Sequence, residues 1–91
     1  MNITTEYGTA NVEEHYGIGY RVFPAHCNRN EDIDFGSVRK GSKYEPDEMT
    51  SKWYAEIKNH HGETWRYAGI WETRRDAVEE IMMILTQRER W

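Results

Sequence analysis

Leucine is almost missing from this chain. Leu85 is the only one among 91 residues, and Leu, Val, Ile and Phe together contribute 14. That is below the level of an ordinary globular core, and it excludes a large aliphatic interior. A domain this short also buries a smaller share of its surface than a longer one. Cysteine is nearly absent too. Cys27 stands alone, which excludes an intrachain disulfide and fits a cytosolic protein better than a secreted one of this size. No apolar run approaches membrane-spanning length. The start, Met1 to Glu6, lacks the basic and apolar regions of a signal peptide, so the chain is expected to act in the cytoplasm. Positive charge is in deficit: the formal net charge is −4. Residues 1–51 carry nine acids against five bases, whereas residues 52–91 carry seven of each. General attraction to nucleic acid or an anionic membrane is therefore not built in, while solubility or a basic protein partner is served.

Aromatic residues compensate for the missing aliphatics. Four Trp and six Tyr can bury large areas individually, which predicts one folded domain with an aromatic-rich core. Residues 1–17 are polar and ambiguous, with one helical turn over Asn11–Tyr16 bracketed by Gly8 and Gly17. Residues 18–23 alternate as a strand, and Pro24 either ends it or marks it as an edge. Residues 27–51 form a long polar, acidic stretch. Twenty-five residues without structure are unusual in a compact domain, so Ile33–Arg39 reads as a short irregular strand or the whole as a functional loop.

The second half has clear periods. Residues 53–58 alternate as a strand, Asn59 to Glu63 make a hairpin loop with Gly62 suited to positive φ, and residues 65–71 return. Strict alternation places Trp65, Tyr67 and Gly69 on one face of the returning strand, with Arg66, Ala68 and Ile70 on the other. Thr73 is a good N-cap for a helix over 73–88, with Asp76 three residues on. Ala77, Val78, Ile81, Ile84 and Leu85 form one apolar stripe. The fold class predicted is α+β: a three- or four-stranded antiparallel sheet packed on one C-terminal helix. The stripe should cover Ala55, Ile57, Ala68 and Ile70, leaving Tyr54, Glu56, Lys58, Trp65 and Tyr67 on an open face. The alternative is that residues 1–17 or 27–51 cover those aromatics, because a thin core needs them.

The run Lys52-Trp53-Tyr54-Ala55-Glu56-Ile57-Lys58, then Gly62, then Ala68-Gly69-Ile70-Trp71-Glu72-Thr73-Arg74-Arg75-Asp76-Ala77, resembles the plant ethylene-response-factor DNA-binding domain. It is similar also to the arm-binding domains of phage integrases. The resemblance spans residues 52–77, with Tyr20-Arg21 standing for the family's first strand. It implies three antiparallel strands on one helix, with the open sheet face entering the DNA major groove. It implies DNA-facing positions at Glu56 and Lys58, with Trp65 where the family has a contacting Arg and Tyr67 where it has Trp. The family's arginines are largely replaced here, and its short first turn gives way to an acidic segment of more than twenty residues.

Other constellations carry less. His60-His61 are adjacent on a turn and point apart, and only His26-Cys27 offers another soft pair, so solvated histidines are expected rather than a metal site. Cys27 lacks any nucleophile signature. The carboxylate pairs lie in polar runs or on the helix's outer face and read as solvated charge. Neither Gly17-Ile18-Gly19 nor Gly36–Gly41 has the spacing of a phosphate loop. No catalytic residue and no cofactor is assigned.

These readings make the chain a small acidic, non-catalytic binding protein that inhibits or modulates a macromolecular partner by occluding its surface, in the manner of phage inhibitors and immunity proteins. Glu31, Asp32 and Asp34 would steer it to a basic protein surface, and Tyr54, Trp65 and Tyr67 would anchor it. The alternative is sequence-specific duplex DNA binding through the open face, using Arg21, Lys52, Lys58, Trp65, Arg66 and Tyr67. Met83, expected to point to solvent, and terminal Trp91 would equally serve a homodimer through the helix.

Overall fold

The computed structural model describes residues 1–15, 19–25, 33–41 and 52–89. Among them are six strands, β1 (Asn2–Thr5), β2 (Gly8–His15), β3 (Gly19–Pro24), β4 (Phe35–Lys40), β5 (Trp53–Lys58) and β6 (Thr64–Trp71), followed by the helix α1 (Arg74–Glu89). The strands pair antiparallel in chain order, with β1 and β6 at the edges. The class is α+β, but the sheet expected to have three or four strands has six.

The additional strands come from the ambiguous N-terminal stretch. In β2, Ala10 and Val12 are buried while Thr9, Asn11 and Glu13 are only half-buried. One of the two inward residues is an alanine, so the period-2 signal is faint in sequence. The helical turn read into Asn11–Tyr16 is instead strand as far as His15. Thr5 holds the β1–β2 turn: its hydroxyl accepts the Tyr7 N–H at 3.1 Å and donates to the Gly8 carbonyl at 2.7 Å. A buried hydroxyl is thereby satisfied. Pro24 is the last residue of β3 and lies opposite Ala10, and β3 is interior to the sheet. The proline therefore ends the strand and does not mark an edge.

Helix α1 starts where Thr73 predicts. The Thr73 hydroxyl accepts the Asp76 N–H at 3.1 Å, satisfying one donor of the first turn. Ala77, Val78, Ile81, Met82, Ile84 and Leu85 are all buried. They pack on Ala10, Val12, Val22, Val38, Ala55, Ile57 and Ala68, giving one core between helix and sheet. Each fully buried aliphatic there stabilises the fold by about 1.5–3 kcal/mol. Helix α1 contacts every one of the six strands and so lies across the whole sheet. Met83, expected on the solvent side, is half-buried against this core. Two hydrogen bonds tie α1 to the β1 side of the sheet: Arg75 Nη2 donates to the Thr4 carbonyl at 2.8 Å, and the Thr86 hydroxyl donates to the Tyr7 carbonyl at 3.4 Å.

The β5–β6 hairpin departs from strict alternation. Ala55 pairs with Gly69 but Glu56 pairs with Tyr67, and Ile57 pairs with Arg66 but Lys58 with Thr64. Ala68 and Trp65 are therefore unopposed, which makes two β-bulges in β6. The first corrects one expectation. Ala68 stays on the core side, but Ile70 falls opposite Tyr54 on the other face and is 47% exposed. Strict alternation fails there because a bulge inserts one residue and shifts everything beyond it to the opposite face. Among the described residues no helix is long and apolar enough to cross a membrane.

Candidate docking face

Alternation from the buried Ala55 and Ile57 places Tyr54, Glu56 and Lys58 on the side of the sheet away from α1. Their cross-strand partners on β6 are Ile70, Tyr67 and Thr64, and on β4 they are Arg39, Ser37 and Phe35. Towards β3, Phe23 stacks on Phe35 with ring centroids 5.4 Å apart, and Phe23 is buried. The accessible part of the face consequently lies over β4–β6. Tyr67 is 78% exposed and Trp65 is 42% exposed. Within the face lies a groove of about 440 Å³, lined by Arg39, Tyr54, Ala55, Glu56, Tyr67, Gly69 and Ile70. Its size falls in the range of sites that hold small ligands or anchoring side chains.

Charges bordering the groove are already engaged. Lys58 Nζ donates to the Thr64 hydroxyl at 3.0 Å and to the Gly62 carbonyl at 3.5 Å, and lies 3.6 Å from Glu56 Oε2. The Thr64 hydroxyl in turn donates to Glu56 Oε2 at 3.0 Å. Arg39 stacks its guanidinium 4.3 Å from the centre of the Tyr54 ring. Arg21, across from Glu13 in the β2–β3 register, differs: its Nε is buried without a hydrogen-bond partner among the described residues. At Lys58 and Arg39 these partners leave little net charge for an incoming polyanion to recognise.

The hairpin turn that carries the Lys58 network is built by one residue. Asn59 Oδ1 accepts N–H bonds from His61 and Glu63, both at 3.0 Å, and Gly62 adopts φ +86°. This side-chain mimic of a backbone turn is a habit of Asn. His60 and His61 ride exposed on that turn, and among the described residues no group of three His, Cys, Asp or Glu could hold a metal ion.

The other sequence-derived candidates are scattered. Asp34 is half-buried immediately before β4, and Glu31 and Asp32 lie outside the described residues. Lys52 pairs with Glu72. Arg66 is exposed beside the second bulge. The face thus brings together Tyr54, Glu56, Lys58 and Tyr67, and adds Ile70 and Arg39, which sequence reasoning missed. Gly69 was the available signal for Ile70, since an isolated glycine inside a strand pattern marks bulges. Comparison with protein families, with characterised proteins and with solved structures finds no match.

Proposed function

We propose that the chain is a small, non-catalytic protein-binding module that docks through the open face of β4–β6 and acts by occluding a surface of its partner. The observation that carries this reading is the exposed Tyr67 and Ile70 beside an apolar groove whose charged neighbours are internally paired. Buried aromatic anchors in desolvated pockets dominate most protein interfaces. The net charge of −4 favours a basic partner, with Glu31, Asp32 and Asp34 contributing to long-range attraction. The single cysteine favours action in the reducing cytosol.

Duplex DNA binding by the same face has less support. It asks Lys58 for a phosphate contact, yet that ammonium is held by Thr64, Gly62 and Glu56.

A Tyr67→Ala/Ile70→Ala double variant tests the proposal. Both side chains are exposed enough that the fold should survive, and circular dichroism checks this. The protein recovered from a lysate by the wild type should be lost with the double variant at low and high salt alike. Recovery by both forms removes the face from the reading. Salt-sensitive binding to a random-sequence duplex pool, abolished by Lys58→Ala, would transfer it to DNA.

A further inference from the structure

A residue on the other side of the sheet bonds to the bulge beside the groove. Trp71 is half-buried against the helix-side core and pairs with Trp53. Its indole N–H donates to the carbonyl of Ala68, the unopposed residue of the first bulge, at 2.8 Å. Gly69 follows at φ +99°, a conformation that side chains rarely adopt. A Cβ there would be strained by the backbone angle, and at 3.2 Å from the indole nitrogen it would press on the ring packed beside it. The bulge in turn carries Ile70 onto the open face and leaves Gly69 bare as part of the groove.

We propose that Trp71 is a positioning residue for the docking face, its indole N–H locking the Ala68–Gly69 bulge so that the groove accepts an uncharged apolar side chain of a partner polypeptide. The proposal rests on the docking reading above for the occupant, but not for the lock. The occupant's chemistry follows from the lining. Tyr54, Tyr67, Gly69 and Ile70 offer rings, backbone and a branched alkyl, while Glu56 is bonded to Thr64 and Arg39 lies on Tyr54. A charged group entering the groove would lose its hydration without gaining an opposite charge that is not already shared. An apolar group loses nothing by entering.

The test uses the full chain, N-acetyl-tryptophanamide as an uncharged probe, and N-acetyl-lysinamide as a charged one. Chemical-shift changes read binding, and contacts between the Ile70 methyls and the Tyr54 ring read the bulge. Trp71→Phe keeps the ring and removes the donor. Trp53→Phe is the control for general loss of packing, because Trp53 sits on the same core but does not line the groove. The wild type should show shifts at Tyr54, Tyr67 and Ile70 with the tryptophan probe and none there with the lysine probe. Trp71→Phe should lower affinity about fivefold or more, as expected for one lost hydrogen bond, and should lose the Ile70–Tyr54 contacts. Trp53→Phe should retain both. Equal losses in the two variants, or an unchanged Trp71→Phe, overturn the positioning role. A wild type that binds neither probe overturns the docking reading and its occupant, while the Ile70–Tyr54 contacts still decide whether Trp71 locks the bulge.

Discussion

Single side chains decide how closely the helix can lie on the sheet. Gly36 sits on the core side of β4 directly beneath α1: a Cβ there would come within 2.3 Å of Ile81 Cγ2 and 2.8 Å of its Cδ1. Ile81 is fully buried and has nowhere to retreat. Gly36→Ala should therefore destabilise the protein by about 1–3 kcal/mol through overpacking, read from the urea midpoint. Ile81→Ala alone should cost about 2–5 kcal/mol by opening a cavity. The double variant should cost clearly less than the sum, because each change relieves the other. Additive losses would mean that the two positions are not in contact. Lys58 illustrates the same scale on the opposite face. Its charge was legible in the sequence, but its engagement by Thr64 and Glu56 was not, since that depends on which residues of β6 stand across from β5.

Among the elements, α1 was the most legible and β1 and β2 the least, while β6 was read as a strand but not in its facing. An N-cap and an apolar stripe with helical spacing are local signals, and both stand as read: Thr73 caps the helix, and the stripe is buried. Thr73→Ala should lower stability by about 1 kcal/mol, and Thr73→Ser should restore most of it. An unchanged thermal midpoint for the alanine variant would show that the first turn is held by packing instead. The facing of β6 misled because two bulges interrupt it, and bulges appear only in the pairing with β5; the Trp71 indole bonds to the first of them. Bulges also make β6 a poor template for an added strand, as edge strands commonly are in monomeric proteins. At the opposite edge the Arg75 guanidinium occupies the Thr4 carbonyl. Arg75→Ala should change stability by less than about 1.5 kcal/mol, as for an ordinary hydrogen bond. It should also raise concentration-dependent self-association in sedimentation, and no change in sedimentation would show that this carbonyl does not guard the edge.

For the molecule as a whole, the six described strands packed on α1 make a thin core sufficient. The helix contacts every strand, so a few aliphatics form one buried core, and the sheet's reverse side is left with aromatics that the core does not use. The proposed docking face, with paired charges inside a chain of net charge −4, predicts a division in the kinetics. Association with a basic partner should slow as salt rises, because overall charge steers encounter. Dissociation should respond little to salt and strongly to Tyr67→Ala. Surface-plasmon measurements over a salt series check this; a dissociation rate that rises steeply with salt would place ion pairs, rather than the groove, at the centre of the interface.

Alone, the sequence determined the class α+β, the helix and its cap, the β5–β6 hairpin, and an aromatic cluster on that hairpin. Each follows from spacing within a few residues, where side-chain period and backbone chemistry act together. Tertiary structure alone decided that residues 2–15 form two strands, that Ile70 faces outward, and that Glu56 and Lys58 neutralise one another. The physical reason is common to all three. A strand has no internal hydrogen bonds, so its extent, register and facing are set by the neighbour it pairs with, and that neighbour is not written in its own residues.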